Sequence, residues 1–528
     1  MTRTWQYLFT SIFLLLLGLL LWHHWQIIRA PVPLDLYEGT AVMVTGIIAE
    51  GGNPYTREFQ PQMTYVYPPL YNMLAAPLSQ VFGNHFQLHR ALSAVFIVLA
   101  CITLALVTWR RSRSVTHALA ASVLWYAALL FYATPVSSTN APGVALFIVC
   151  LAVPWWRGFS NGSLIFALIC GLLSFYTKQY FILCMAILCL YVFLYVSMAR
   201  ALLLGVFFAM ALVATLALVH ASSPYYLDNT LFAPAAAIEG LHMWQILFIQ
   251  LGFFLRTYAG LLLLLVALVM VSLRAGGWRG GLVGGFRLAG EGWNGPLLRE
   301  RGDYFWFALF WASMAIVFWL GRNPGNYMTY LFQLMSPFLL IAGLSAVASS
   351  GLRAWLVVPL LALTAYQSWS ILHKDFSVDM DNWRRVEALI DASDEVLATQ
   401  MLVMAQLQRG KPVFQDGHTF YFPKAKHKPD WMRKDKPEER VEAVWQEYLT
   451  RLYRKVQRQE FNYVLVSPWE MRGIFQQNPP PFENVAGRSF LQRYYCKAEV
   501  IPLSMTQRHG AGTWKVQVWK PKPCKKAR

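Results

Sequence analysis

The chain has 528 residues, of which 56% are hydrophobic and 14% are charged, and its mean hydropathy is +0.39. These values exclude an ordinary soluble protein of this length and predict a polytopic membrane protein. The net charge of +18 suits a nucleic-acid-binding protein, but the chain has no recognisable nucleic-acid-binding module. We therefore expect no nucleic-acid partner and assign the excess of basic residues to membrane orientation and to anionic membrane lipids or glycans.

Apolar segments recur from the N-terminus to about residue 372, each close to the length of about 17 to 25 residues that crosses a bilayer. They predict a helical transmembrane domain at residues 1–374 and a small extracytoplasmic α/β domain at residues 375–528. The first segment also has the short basic start of a signal peptide, but its length favours a retained anchor. The eleven predicted spans are 7–27, 88–109, 115–133, 140–155, 162–177, 179–198, 201–220, 250–273, 304–320, 328–349 and 354–372.

Arginine residues are concentrated in alternate short loops, which this pattern assigns to the cytoplasm. The N-terminus is then cytoplasmic, and the loops 29–87, 221–245 and 321–327 face outwards. Because the predicted number of spans is odd, the C-terminal domain also lies outside the membrane. We expect a multi-pass protein of a bacterial inner membrane with its C-terminal domain in the periplasm.

Shorter elements are predicted outside the spans. Apolar residues at helical spacing in the first outer loop, residues 29–87, predict two amphipathic helices along the membrane surface. The alternating pattern beyond residue 375 predicts helices and strands of one small domain. These elements are helices at 38–50, 71–81, 383–390 and 437–459, and strands at 463–466 and 514–519.

Cofactor motifs give no positive signal. The chain has no Walker motif, no dinucleotide-binding glycine pattern and no metalloprotease motif, so we expect no nucleotide cofactor. We predict no metal site, although carboxylates leave a divalent cation possible in principle. Cys496 and Cys524 are the two cysteines outside the predicted spans, and the sequence leaves their pairing open.

Two acidic residues, Asp35 and Glu38, follow the first span and have no basic residue next to them in the sequence. On a helix they would share one face and could address one pocket, which suits a general base. The alternative is a capping box, in which Asp35 is the N-cap and Glu38 the third residue of the next helix.

Three basic residues near the outer ends of spans suit a phosphate group. Lys178 lies between two apolar segments with almost no loop, where a lysine either extends to the interface or binds an anion. Arg256 is either a phosphate ligand or a helix-end anchor, since a guanidinium matches phosphate oxygens. Arg322 is either a third phosphate ligand or a solvated turn residue.

Other candidates would bind the substrate. Asp228, in the second outer loop, is either an acidic group near a sugar or an ordinary turn residue. Tyr65, Tyr67 and Tyr71 either form a platform for a sugar or anchor the loop at the membrane interface.

In the order of its motifs the chain resembles the GT-C superfamily of membrane glycosyltransferases, and most of all the bacterial branch related to protein mannosyltransferases and the lipid A aminoarabinose transferase. The resemblance extends through the predicted membrane region and includes a C-terminal outer domain. Its motifs are Asp35 and Glu38, the turn 52–55, residues 67–71 leading to 82–83, residues 177–179, Asn326 and Tyr327, and Pro337 in the following span.

This resemblance implies transfer of a sugar from a polyprenyl-phosphate donor to an envelope glycan, lipid or protein on the outer face of the membrane, with inversion. Asp35 would be the base, Glu38 its neighbour, Lys178 a ligand of the donor phosphate, and Asn326 and Tyr327 substrate-binding residues. In the family the two acidic residues are commonly adjacent, whereas Leu36 and Tyr37 separate them here. Which of the two is the base therefore stays open. The alternative functions are a transporter or flippase of lipid-linked saccharides and a non-catalytic scaffold.

Overall fold

The fold was analysed in a computed structural model of the chain. Most of the first 236 residues and most of the C-terminal segment are described, together with a few single positions between 248 and 344. The predicted spans 250–273 and 354–372 lie outside the described residues, as do nearly all of 304–320 and 328–349. The described ranges are 3–35, 37–131, 137, 139–236, 380–398, 400–415, 418–426, 437–467, 490–504 and 513–523.

The N-terminal part is helical. Helix α1 ends at Arg29, just before Pro31 and Pro33, which cannot donate a helical backbone hydrogen bond. Helix α4 has Arg110 and Arg111 in its last turn, where positive charge is favourable at the carbonyl end of a helix. The helices are α1 (Arg3–Arg29), α2 (Glu38–Ala49), α3 (Leu70–Phe82), α4 (Phe86–Ser112), α5 (Val115–Phe131), α6 (Asn140–Trp156), α7 (Asn161–Phe175), α8 (Leu183–Tyr195), α9 (Met198–Ser222) and α10 (Ala233–Ala236).

Each of the first seven predicted spans corresponds to a helix. Within the described residues, three helices are long and apolar enough to cross a membrane, namely Thr4–Arg29, Phe86–Ser112 and Met198–Ser222. The others are shorter, and the segment predicted at 179–198 is divided, because a 3-10 turn at Gln179–Ile182 precedes α8. The total of eleven spans stays a prediction.

The two helices predicted in the first outer loop are α2 and α3. Helix α2 differs from an exposed amphipathic helix, since its first eight residues, Glu38 to Thr45, are all buried. Its apolar residues Met43 and Val44 pack in one cluster with Val403 and Val413 of the C-terminal segment. The sequence could not reveal this cover, because the covering residues are far away in the chain.

The C-terminal segment forms a four-stranded sheet with helices. Strands β1 (Val396–Ala398) and β2 (Tyr463–Val466) are parallel. Strand β4 (Thr513–Pro521) is antiparallel to both β2 and β3 (Tyr495–Ser504), which gives the order β1-β2-β4-β3. The elements predicted at 383–390, 437–459, 463–466 and 514–519 are all present. They are α11 (Met380–Asp391), β1 (Val396–Ala398), α12 (Val403–Gln408), a 3-10 helix at Thr419–Lys426, α13 (Pro437–Gln457), β2 (Tyr463–Val466), α14 (Phe490–Tyr494), β3 (Tyr495–Ser504) and β4 (Thr513–Pro521).

Polar contacts join the C-terminal segment to the first outer loop. The Nη2 atom of Arg57 lies 2.6 Å from Oε2 of Glu447 in α13. The Thr419 hydroxyl donates to the Gln62 carbonyl oxygen at 3.0 Å. The loop therefore lies between the helices of the N-terminal part and the C-terminal segment, and residues from both regions meet there.

Candidate active site

Glu38, the first residue of α2, forms a buried ion pair with Arg90 of α4. Both side chains are fully buried, and Arg90 Nε and Nη2 lie 2.8 and 2.7 Å from the two carboxylate oxygens. No basic residue neighbours Glu38 in the sequence, but the folded chain places a cation beside it. The partner is 52 positions away and arrives through the packing of α4 on the loop.

All five N–H groups of Arg90 are used. Two donate to Glu38, and the other three donate to the carbonyl oxygens of Ile27, Ala30 and Val32 at 3.1, 2.6 and 2.8 Å. These carbonyls belong to the last turn of α1 and the turn after it, where a helix runs out of backbone N–H donors. Arg90 therefore fastens the turn that leads to Asp35.

The Glu38 carboxylate accepts four further hydrogen bonds. The donors are the backbone N–H groups of Leu34, Asp35 and Ser137 and the Ser137 hydroxyl, at 2.6 to 3.3 Å. Burial alone would raise the pKa of Glu38, but Arg90 and these hydrogen bonds outweigh it and hold the pKa below its ordinary value. Glu38 is thus an ionised structural group and is poorly suited to accept a proton.

Asp35 lies in the turn before α2, which begins at Glu38, so the two carboxylates do not share one helix face. Its side chain is buried, with 3% exposure, and Oδ1 accepts the Tyr37 backbone N–H at 2.9 Å. Together with the Asp35 N–H donating to Glu38 at 3.3 Å, this resembles the predicted capping box, displaced to the turn. The arrangement fixes the Asp35 carboxylate relative to the backbone.

Lys178 lies in the tight turn between α7 and the Gln179–Ile182 3-10 helix. Its Nζ atom donates to Asn140 Oδ1 at 3.2 Å. The same atom is 4.9 Å from the ring centre of Tyr67 and 5.1 Å from that of Tyr180, which are distances of cation–π contacts. The ammonium group is therefore held at the junction of the first outer loop with helices α6 and α7.

This turn is attached directly to the first outer loop. The Leu70 backbone N–H donates to the Tyr176 carbonyl oxygen at 3.0 Å. The Gln179 amide donates to the Val66 carbonyl oxygen at 2.9 Å and also to the Thr230 carbonyl oxygen. Lys178 is consequently fixed against the segment that contains Tyr67.

A row of aromatic rings connects the Asp35 turn with Lys178. The Tyr37 ring stacks on the His418 ring at 4.9 Å with an interplanar angle of 15°. His418 contacts the Tyr67 ring edge-to-face at 5.4 Å, and Tyr67 in turn faces the Lys178 ammonium group. Three rings thus form the row, with Lys178 against the Tyr67 ring at one end and Asp35 bonded to the backbone of Tyr37 at the other.

His418 was missed by sequence reasoning. It stands in Gly417-His418-Thr419, which matches no motif, and it comes from the C-terminal segment. It is 2% exposed and sits at the start of the Thr419–Lys426 3-10 helix. Only the folded contact between the C-terminal segment and the outer loop could have identified it.

Tyr65 and Tyr71 are not available as a sugar platform. The Tyr65 hydroxyl donates to Asn72 Oδ1 at 2.6 Å, and the Tyr71 hydroxyl donates to the His89 carbonyl oxygen at 3.1 Å. Their exposures are 1% and 0%, and burial raises the pKa of Tyr65 well above its ordinary value. The predicted platform is reduced to Tyr67, which is half-buried.

Asp228 forms an ion pair with the C-terminal segment. Its Oδ2 atom is 2.5 Å from Arg440 Nη2 of α13, and the Arg440 guanidinium lies over the Tyr225 ring at 4.4 Å. Asp228 also begins a π-helical turn at Asp228–Phe232. Its charge therefore joins the second outer loop to the C-terminal segment.

The remaining candidates, Arg256, Arg322, Asn326 and Tyr327, lie outside the described residues. Among the residues that are described, no group of three or more His, Cys, Asp or Glu side chains could hold a metal ion. Cys496 is disulfide-bonded, and Cys524 is outside the described ranges. Five cysteines in the helices are free: Cys101, Cys150, Cys170, Cys184 and Cys189.

Two crystal structures of ArnT from Cupriavidus metallidurans resemble this chain along its whole length. The apo structure matches with a TM-score of 0.57 and 12% sequence identity, over 97% of this chain and 98% of that chain. The structure bound to undecaprenyl phosphate matches with a TM-score of 0.54 and 13% identity, over 99% of each chain. No protein-family model and no curated protein matches the sequence. The chain therefore has an ArnT-like fold, as the resemblance of its motifs predicted.

Proposed function

We propose that this protein is a membrane glycosyltransferase that moves a sugar from a polyprenyl-phosphate donor to an envelope glycan, lipid or protein. The observation that carries the proposal is the chain of contacts from Asp35 through Tyr37, His418 and Tyr67 to Lys178, which links a buried carboxylate to a lysine ammonium through the first outer loop and the C-terminal segment. An ArnT-like fold supports it, since one of the matching ArnT structures was determined with undecaprenyl phosphate.

In the proposed reaction Asp35 is the general base. It accepts the proton of the acceptor hydroxyl or amine while that group attacks the anomeric carbon of the donor sugar. The bond between this carbon and the phosphate oxygen breaks on the opposite face, so the configuration inverts and polyprenyl phosphate leaves. Glu38 is the weaker candidate for this role because Arg90 already neutralises its charge.

Lys178 stabilises the negative charge that develops on the departing phosphate. Its ammonium group is fixed by Asn140 and two tyrosine rings before any substrate binds, so little reorganisation is needed during the reaction. Arg256 and Arg322 remain proposed further phosphate ligands, and Asn326 and Tyr327 proposed substrate contacts. Tyr67, beside Lys178, is the proposed aromatic contact for the sugar.

The reaction is proposed to occur on the outer face of a bacterial inner membrane. The arginine pattern of the loops supports this orientation for the Asp35 turn and the C-terminal segment. The disulfide at Cys496 also supports it, because disulfides persist in oxidising compartments such as the periplasm.

The test is transfer by purified protein from radiolabelled undecaprenyl-phosphate pentose or hexose to lipid A or an envelope glycan fraction. Asp35→Asn should slow transfer by about 10²- to 10⁴-fold, the usual effect of a general base, while undecaprenyl phosphate still binds. The matched control is Glu58→Gln, which removes an exposed carboxylate from the same loop. Unchanged transfer by the Asp35→Asn variant would contradict the proposal.

Lys178→Gln should instead weaken the binding of undecaprenyl phosphate. A hydrogen bond to a charged group contributes about 1.5 to 3 kcal/mol, which corresponds to roughly a tenfold to hundredfold rise in Kd. Lys497→Gln, at an exposed position of β3, is the control for loss of one positive charge. If the variants abolish translocation of the lipid-linked sugar and leave transfer intact, the protein is a flippase.

A further inference from the structure

We infer that His418 is a positioning residue that orients Asp35 at one end of the site and Lys178 at the other. The C-terminal segment thereby contributes directly to the geometry of the site. This inference rests on the proposed function and adds to it a residue from the C-terminal segment, outside the family motifs. His418 acts through Tyr37 on the base and through Tyr67 on the phosphate ligand.

The backbone around His418 is held firmly in place. The adjacent Thr419 hydroxyl donates to the Gln62 carbonyl oxygen at 3.0 Å, which attaches this segment to the outer loop. The Tyr421 N–H donates to the His418 carbonyl oxygen at 2.8 Å, which starts the 3-10 turn. With 2% exposure, the imidazole ring is confined between the tyrosines of the loop.

On the Asp35 side, the parallel stack with His418 fixes the Tyr37 ring. The backbone N–H of the same tyrosine donates to Asp35 Oδ1 at 2.9 Å. A shift of Tyr37 therefore moves the donor that orients the proposed base. Because proton transfer requires hydrogen-bond distances, such a shift lowers the rate of the chemical step.

On the Lys178 side, His418 supports the Tyr67 ring through an edge-to-face contact. The backbone of Tyr67 is fixed separately, since its carbonyl oxygen accepts the Tyr55 hydroxyl at 2.5 Å. Loss of the imidazole consequently frees the Tyr67 ring more than the Tyr67 backbone. The cation–π contact that holds the Lys178 ammonium group is then weakened.

Three substitutions distinguish the contribution of the aromatic ring of His418 from that of its hydrogen-bonding nitrogen atoms. His418→Ala removes both, His418→Phe keeps a ring, and His418→Gln keeps hydrogen-bonding capacity without a ring. We expect the Ala and Gln variants to bind undecaprenyl phosphate roughly threefold to tenfold more weakly, because the ring contact that supports Tyr67 beside Lys178 is lost. They should also lower kcat for transfer, whereas the Phe variant should remain near wild type in both.

The control for general weakening of the interface is Arg57→Gln, which breaks the exposed contact with Glu447 and touches none of the rings. It should leave the Kd for undecaprenyl phosphate unchanged. Equal losses in Arg57→Gln and His418→Ala, equal losses in His418→Phe and His418→Ala, or unchanged binding in His418→Ala would each overturn the inference. Folding is checked by size-exclusion chromatography and thermal unfolding, and the Gln variant serves if the Ala variant does not fold.

Amide hydrogen exchange gives a readout that does not depend on the activity. The Tyr37 N–H, bonded to Asp35, should exchange faster in His418→Ala than in wild type and be protected again in His418→Phe. If wild-type protein neither binds undecaprenyl phosphate nor transfers a sugar, the proposed function fails. Exchange at Tyr37 still tests the positioning role, and unchanged exchange in the Ala variant refutes it.

Discussion

Replacing Arg90 by Met should strongly destabilise the protein. The substitution keeps an extended side chain but removes the cation from Glu38, whose carboxylate is fully buried. Removal of one partner from a buried ion pair costs about 3–5 kcal/mol. The Ala30 and Val32 carbonyl oxygens also lose their donors, the Nη1 and Nη2 atoms of Arg90, which places the expected loss toward the upper end of that range.

The loss can be measured by urea unfolding in detergent micelles with near-ultraviolet circular dichroism. The matched variant is Glu38→Gln combined with Arg90→Met, in which no unpaired charge remains buried. We expect this double variant to be more stable than Arg90→Met alone, because most of the cost arises from the uncompensated carboxylate. A loss below about 1 kcal/mol, as for an exposed pair, or a double variant no more stable than Arg90→Met, would refute the reasoning.

The contribution of Glu38 to stability should depend on pH with opposite signs in the wild type and in Arg90→Met. In the wild type the pKa of Glu38 is lowered on folding, so its contribution is present above the unfolded value of about 4.3 and is lost as pH falls through the folded pKa. In Arg90→Met the burial of Glu38 raises this pKa instead. The variant should then be closest to wild type in acid and lose stability as pH rises above the unfolded pKa of about 4.3, which unfolding midpoints across pH will test.

Two further predictions concern the packing of α6 and the contact between the second outer loop and α13. Gly143→Ala should destabilise by about 1 to 3 kcal/mol in the same unfolding assay, since the added Cβ would overlap the Phe181 ring. Gly162→Ala, where nothing lies within 4 Å of that Cβ, should be nearly neutral, and equal effects would argue against close packing of α6. Asp228→Asn should lower the free energy of unfolding by about 1 kcal/mol, a small loss because Arg440 is 39% exposed. It should also speed protease cleavage between the second outer loop and α13, because this ion pair joins the two regions. Unchanged proteolysis would show that this ion pair does not hold the two regions together.

Much of the fold follows from local pattern. Apolar length and periodicity predicted the helices from α1 to α9, including α2 and α3 of the first outer loop. They also predicted several elements of the C-terminal segment. The segment at 179–198 shows the limit, because Lys178 and Gln179 are held by the outer loop and a 3-10 turn replaces the start of the helix. Tertiary hydrogen bonds decided this boundary.

The site was only partly predictable. Lys178 and Asp35 could be singled out because charged groups at a membrane boundary are costly without a role. Arg90 could not be assigned to Glu38, since it lies inside an apolar helix on the far side of the loop. His418 carries no local signal at all, because its contacts with Tyr37 and Tyr67 exist only after folding.

The position of His418 in the chain affects how the protein is made. A ribosome delivers the Asp35 turn early in synthesis and the segment 418–426 late, so the aromatic row of Tyr37, His418 and Tyr67 cannot assemble until most of the polypeptide has been made. A nascent chain therefore contains Asp35 and Lys178 long before His418 is available to pack against the tyrosines of the first outer loop.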